Sequence, residues 1–480
     1  MNQFIIDMEK ETTPFPHVWE ECIGSCHAAI TLREDLRKQL KRCREDLGFK
    51  AVRFHGLFDD RMSVYSMSEE GPYYSFFNID QTYDYLLELG MKPFVELSFM
   101  PGDMASGTQT AFHYKANVTP PSDYSCWAEL IERYARHIIE RYGIEEVRTW
   151  YFEVWNEPES PYFWAGGQEG YFKLYKYTAE ALKKADSRLC VGGPATGGEK
   201  WIGELIAFCE ENLIPLDFIS THHYPTDVGI GFGNPMEERM AKSKRGILKE
   251  KTAAVRRMVG KYPLFYTEWN NSPGNRDKYH DMPYAAAFVV KTLADNQGLT
   301  DVYSYFAFSD IFEEMHTPAT PFHGCFGLLN LQGIPKPTYR AFQILHGIGT
   351  ERLYVEGGES PTLEVLAVRK DAAKLTLLIY NHNIPLSPIK EEEAVIIVKG
   401  LSDIQSAVLL RIDEDHCNVR KKWIEMGSPE YPDRLQIQQL MEESELVHEP
   451  IGYETDIKGV IFRLAVPPHG IAAISLEAEG

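Results

Sequence analysis

Two short segments carry residues whose types and spacing suggest chemistry. Trp155-Asn156-Glu157-Pro158 follows the apolar run TWYFEV, and Thr267-Glu268-Trp269-Asn270 ends the run LFYTEWN. Each delivers one carboxyl group beside an aromatic ring. Cleaving a glycosidic bond needs two such groups facing one another. One carboxylate attacks the anomeric carbon while the other, held protonated, gives its proton to the departing oxygen. A separation of about 5 to 5.5 Å fits this double displacement, whereas inverting enzymes hold the pair farther apart to admit a water. In this chemistry Glu157, with a raised pKa, is the acid and Glu268 the ionised nucleophile. Either glutamate alone can equally cap a helix or pair with an arginine. The two together, with Trp155 and Trp269 available to stack on sugar faces, favour the chemical reading.

Histidines offer a second chemistry. A metal-dependent hydrolase would use His55, His222 and His223, but His222 and His223 are adjacent on a predicted strand and so point to opposite faces. No metal and no other cofactor is expected. The eight cysteines form no CxxC pairs and read as free, buried thiols in a reducing compartment.

The elements must bring the two glutamates together. From residue 21 to about 349, short apolar runs alternate with longer amphipathic ones. In the first helix, Thr31 and Glu34 predict a capping box, Leu32, Leu36, Leu40, Cys43 and Leu47 follow helical spacing, and Gly48 ends the run. Strands are predicted around Cys22 and over 50–56, 92–99, 149–156, 189–193, 218–224, 264–270 and 302–309. Eight strand–helix units make a (β/α)8 TIM barrel, an α/β fold whose strand C-termini face the active site. Strands four and seven then aim Glu157 and Glu268 into one space. The long loop over 100–122 reads as functional, able to wall a groove into a pocket.

After the helix beginning near Pro337 the pattern changes to alternating strands without helices. Leu363, Val365 and Ala367 form one face and Leu375, Leu377 and Ile379 another, joined by runs at 391–400, 459–466 and 471–476. These predict a C-terminal antiparallel β-sandwich domain, to which Phe4, Ile5 and Ile6 add a strand. A helical pattern near 430–445 reads as an insertion. The expected division is a catalytic barrel over 15–349 and an accessory domain made of 1–14 plus 350–480.

Composition sets outer bounds. With 44% hydrophobic and 25% charged residues over 480 positions, there is ample material for a core. The 49 basic and 70 acidic residues leave a net charge of −21, which repels phosphate backbones and anionic headgroups. Neither a nucleic-acid nor a membrane partner is expected, and no run approaches the ~18 apolar residues of a membrane span. The N-terminus MNQFIIDMEK lacks a basic region and a long apolar stretch, which predicts a cytoplasmic protein.

FEVWNEP and TEWN resemble the retaining (β/α)8 glycosidases. FMPGDMASGTQTAFHYKANVTPPSDY, FAFSDIFEE, FHGCFGL and IPKPTYRAF narrow the likeness. Over most of residues 20 to 345 the chain resembles the β-xylosidases of glycoside hydrolase family 39. The resemblance implies Glu157 as acid/base, Glu268 as nucleophile, and Asn156 as partner of the sugar hydroxyl next to the reacting carbon. It places His55, His222, Tyr224, Phe306 and Glu313 or Glu314 along the sugar pocket, joined by Phe112 from the long loop. A tetramer is also implied. Arg53, two residues before His55, could instead orient a catalytic carboxylate. Three departures alter the pocket floor: Phe306 stands where the family's Trp is expected, Pro273 where a Tyr is common, and Cys26-His27 where a Gly-Arg pair is expected.

The expected activity is that of a retaining exo-β-xylosidase acting at the non-reducing end of xylo-oligosaccharides, with a small oligosaccharide or glycoside as its partner. Arabinopyranosides, glucosides, galactosides and iduronides are alternative substrates. A sugar-binding protein without turnover is the alternative from another class, and the presence of both glutamates counts against it.

Overall fold

The computed structural model describes residues 2–226, 235–401 and 404–479. Eight parallel strands close into a barrel: β1 (Ile23–His27), β2 (Ala51–His55), β3 (Lys92–Leu97), β4 (Tyr151–Val154), β5 (Cys190–Gly197), β6 (Phe218–His223), β7 (Leu264–Trp269) and β8 (Val302–Tyr305). Each pairs with the next, and Tyr305 of β8 pairs with Ile23 of β1 to close the ring. Near the strand starts, Cys22, Phe94, Phe218, Phe265 and Val302 form an apolar cluster of their own. The polar inward residues are thereby left to the opposite, C-terminal mouth.

The first helix starts later than its sequence suggests. Residues Ala28–Leu32 wind as a 3-10 turn, and the α-helix runs over Glu34–Leu47 with Arg33 as an N-cap that makes no side-chain cap bond. The expected capping box is absent because the Thr31 hydroxyl lies inside that turn, donating to the Ala28 carbonyl at 2.6 Å. Leu32 is correspondingly exposed. Leu36, Leu40, Cys43 and Leu47 are buried as their spacing requires, and Gly48 ends the helix in the left-handed region, φ 74°.

Apart from two short hairpins, Tyr65–Ser68 with Gly71–Tyr74 and Thr110–Ala111 with Ala116–Asn117, the remaining strands form two facing sheets. Asn2–Asp7 pairs in parallel with Glu392–Lys399 and antiparallel with Val355–Gly357, and Glu392–Lys399 also pairs with Gly459–Val466. The parallel pairing is a departure from the all-antiparallel expectation. In the second sheet Leu363–Arg369, Lys374–Asn381 and Ile471–Ala478 lie side by side. Ile404–Ile412, which the alternation pattern did not reveal, pairs along Ile471–Ala478. Phe4, Ile6, Leu377, Ile396, Phe462 and Ile474 fill the space between the sheets.

The helical insertion is a pair. Val419–Glu425 precedes Arg434–Glu443, whose Asp433 and Gln436 make a true capping box. Trp423 and Leu440 from this pair pack with Phe322 and Ile334 from the segment after β8. All eight cysteines are free, six of them buried. Among the described residues no helix is long and apolar enough to cross a membrane.

Candidate active site

The chain leaves β4 through a strained turn: Trp155 and Glu157 have φ of 69° and 44°, in the region that non-glycine residues rarely occupy. Glu157 N–H donates to the Ala195 carbonyl at 2.9 Å, and Ser160 N–H closes the turn onto the Glu157 carbonyl at 3.0 Å. On β7 the pairing register slips on both sides, between Thr221 and His222 of β6 and between Tyr266 and Trp269. Such irregularities re-aim side chains at barrel mouths.

Glu268 thus faces the lumen and Trp269 the outer layer, where it stacks on Tyr303 at 4.4 Å. Trp155 is buried too, its Nε1–H donating to the Phe163 carbonyl at 2.9 Å. Neither tryptophan lines the cavity, so the expected stacking on sugar faces does not arise from them. For Trp269 the reason is strand alternation, because the neighbour of an inward glutamate must point outward.

The cavity at the barrel mouth has a volume of about 510 Å³, and Glu157, Glu268, Asn156, His55, Tyr224 and Glu314 all border it. Phe112, Phe306 and Pro273 supply apolar wall. His222 sits fully buried between the glutamates, its Nδ1 2.8 Å from Glu268 Oε2 and 3.0 Å from Glu157 Oε1. One atom from each of the three residues falls within 4.8 Å of the others.

The charge on His222 follows from these neighbours. Burial alone would strip its charge, yet Glu268 and Glu157 hold its pKa up at about 9. A protonated imidazole offers its Nδ1–H to the two carboxylates. His223 points away from the lumen, with Nδ1 3.1 Å from Glu199 Oε1 and Nε2 2.6 Å from the Tyr303 hydroxyl. The three-histidine metal set is therefore not assembled.

Beneath the cavity lies a buried charge network. Arg53 Nε donates to Glu153 Oε2 at 2.6 Å, and its Nη2 lies 2.8 Å from Glu96 Oε2 and 3.0 Å from Asn156 Oδ1. It therefore orients Asn156, while its carboxylate partners are the deeper Glu96 and Glu153. His55 Nδ1 is 2.7 Å from Glu96 Oε2 and its Nε2 3.5 Å from Glu314 Oε1. Burial opposes the charge on His55, but these two carboxylates hold its pKa at about 10. Burial likewise pushes Glu268 upward, and the cations of His222, His55 and Arg53 overcome it, leaving its pKa below the ordinary value.

Of the two adjacent acids after β8, only Glu314 reaches the cavity. Glu313 turns outward to His27 Nε2 at 3.1 Å, Arg33 at 3.1 Å and Arg61 at 3.5 Å. Cys26 Sγ accepts the Glu313 N–H at 3.3 Å. The Cys26-His27 pair thus anchors the chain after β8 from behind. Cavity residues that the sequence reading passed over are Glu159, Tyr162, Lys200 and Phe326. Glu159 was within reach, since it follows Glu157 by two residues in the same turn.

Comparison with known proteins places these features in a family. The family described as glycosyl hydrolases family 39 matches residues 3–460. A β-xylosidase of Caldicellulosiruptor saccharolyticus is 52% identical over 464 residues, 96% of this chain and 95% of that protein. A β-xylosidase of Geobacillus stearothermophilus is 37% identical, covering 89% of this chain and 86% of that protein. Among solved structures, a monomeric β-xylosidase from Caulobacter crescentus CB15 superposes with a TM-score of 0.89 at 32% identity, covering 100% of both chains.

Proposed function

The chain belongs to glycosyl hydrolase family 39 and is a glycoside hydrolase acting on a small carbohydrate, and from that premise we propose that it is a retaining, exo-acting β-xylosidase. Xylose is removed from the non-reducing end of xylo-oligosaccharides. The observation that carries this reading is the approach of Glu157 and Glu268 within 4.8 Å. An approach this close, oxygen to oxygen, belongs with the about 5 to 5.5 Å of double displacement rather than the about 6.5 to 9.5 Å of an inverting pair.

In the first step Glu268 attacks the anomeric carbon, the glycosidic C–O bond breaks, and Glu157 gives its proton to the leaving oxygen. In the second, water attacks the same carbon, Glu157 takes the water's proton, and Glu268 departs as carboxylate. His222 keeps Glu268 ionised for attack. Asn156, fixed by Arg53, is placed to bond the hydroxyl beside the reacting carbon, a contact that strengthens as charge develops.

Exo action is supported by the loop carrying Phe112, whose backbone N–H donates to the Tyr162 hydroxyl at 2.9 Å and so ties two cavity walls together. Xylose is supported by the relatives, two β-xylosidases at 52% and 37% identity. Hydrolysis of a panel of 4-nitrophenyl glycosides tests the substrate. Release chiefly from the β-xyloside is expected; release chiefly from another sugar would reassign the pocket, and silence across the panel would favour endo action or sugar binding without turnover.

A further inference from the structure

We propose that Glu313 is a positioning residue: clasped from behind by three side chains, it presents its neighbour Glu314 to the bound sugar. This role rests on the reading above, in which Glu314 lines the sugar pocket.

The clasp draws on three separate elements. Glu313 Oε2 lies 3.1 Å from Nε2 of His27, the last residue of β1. Arg33, the N-cap of the first α-helix, donates from Nη1 to Glu313 Oε1 at 3.1 Å. Arg61, in the 3-10 turn Asp60–Met62 after β2, donates from Nη1 to Oε2 at 3.5 Å. Arg33 is itself braced, its Nε and Nη2 donating to Asp35 at 3.0 and 2.8 Å. The main chain is pinned as well. Glu313 N–H donates to Cys26 Sγ at 3.3 Å, and the Glu314 carbonyl accepts the His113 N–H from the long loop at 2.7 Å. What the dipeptide turns to the cavity is the Glu314 carboxyl, with Oε1 3.5 Å from His55 Nε2.

A cation such as His55 attracts either of two adjacent acids, so the inner place goes to Glu314 because Glu313 has outer partners of its own. A sugar hydroxyl bonded to a carboxylate is sensitive to its exact placement, and that placement is set by the groups behind it. The same clasp steadies the facing loop. Tyr114 stacks on His27 at 4.1 Å and on Phe112 at 5.1 Å, and the Arg61 guanidinium covers the Tyr114 ring at 5.0 Å. Two of the groups that hold Glu313 therefore also hold the loop that brings Phe112 to the cavity wall.

Glu313→Ala removes the clasp. With side chains 22% exposed at Glu313, 41% at Arg33 and 38% at Arg61, these pairs contribute little to stability and the fold should survive. The inhibition constant of free xylose against the full-length enzyme, with 4-nitrophenyl β-xyloside as substrate, should rise about tenfold, the scale of one misplaced charged hydrogen bond. A smaller folded fraction would lower kcat and leave that constant unchanged. Glu313→Gln, which keeps an acceptor for both guanidinium groups, should restore most of the affinity. In a Glu314→Gln background, Glu313→Ala should cost less than about twofold, because the residue it positions is already disabled. An unchanged xylose constant in Glu313→Ala, or losses that multiply in the double variant, would overturn the role. If Glu313→Ala does not fold, Arg33→Gln decides: the constant must rise in the same direction, and an unchanged value overturns the clasp. If another sugar were the substrate, xylose would not inhibit the wild type either, and the same cycle run with that sugar would still read the clasp, so the two failures are distinct.

Discussion

The Nδ1 of His222 stands 2.8 Å from Oε2 of Glu268, and this contact keeps Glu268 ionised. The imidazole is held protonated to about pH 9 by its two carboxylate neighbours, and its charge leads the forces that keep Glu268 below the ordinary carboxyl range despite full burial. His222→Gln keeps a donor but removes the cation. Glu268 should then protonate at higher pH, so the acidic limb of the kcat/KM profile moves upward, while the alkaline limb moves far less. A profile lowered uniformly without a shift would mean that His222 serves only packing.

Glu268→Ala removes the nucleophile and should cost about 10⁴ to 10⁶ in kcat, the scale seen when a group that acts as a unit with others is deleted. On an activated substrate azide should partly restore turnover by entering the vacated space. Near-wild-type activity in this variant would remove Glu268 from the mechanism.

Glu157→Ala should separate substrates by leaving group. Xylobiose should lose about 10² to 10⁴ in rate, whereas 4-nitrophenyl xyloside should lose much less in the glycosylation step. Equal losses on both substrates would contradict the role of Glu157 as acid.

Arg53 touches Glu96, Glu153 and Asn156 together. Arg53→Met leaves two buried carboxylates short of a partner, a change of about 3 to 5 kcal/mol in stability. The released Asn156 should also lower kcat more than it raises KM. Chemical unfolding and kinetics on the same preparation check both effects, and an unchanged stability would contradict the network.

His55 and His222 make stability fall in alkali. Their folded pKa values of about 10 and about 9 lie above the unfolded value of about 6.5, so the folded state binds more protons across that window. Their contribution is complete below about pH 6.5 and is lost as pH rises through about 9 to 10. Melting temperature should decline over this range, and His55→Asn should flatten the decline. A melting temperature constant from pH 7 to 10 would contradict the charged assignments.

Barrel strands and catalytic glutamates were legible because both rest on short-range pattern: strand–helix alternation is periodic, and the barrel rule assigns strand ends to the site. What escaped was side-chain direction at irregular backbone. Trp155 and Trp269 flank the glutamates in sequence, yet a positive φ and slipped registers decide where each residue points. Glu313 and Glu314 are adjacent acids that a sequence cannot tell apart; His27, Arg33 and Arg61, distant in the chain, draw one outward. Thr31 matched a capping motif but lies in a 3-10 turn. Ile404–Ile412 escaped because Gln405 and Ser406 followed by an unbroken apolar run blur the alternation of its faces. Glu159 follows Glu157 by two residues, and its place at the cavity is set by the turn that Glu157 begins rather than by a strand.

Retention through Glu157 and Glu268 is the central claim, and the configuration of the first-released sugar tests it most directly. Proton NMR of a β-xyloside digest, followed from the earliest minutes, should show β-xylose appearing first and the α-anomer growing in later by mutarotation. If α-xylose appears first, the displacement is single, and the close approach of the two glutamates does not serve a covalent intermediate.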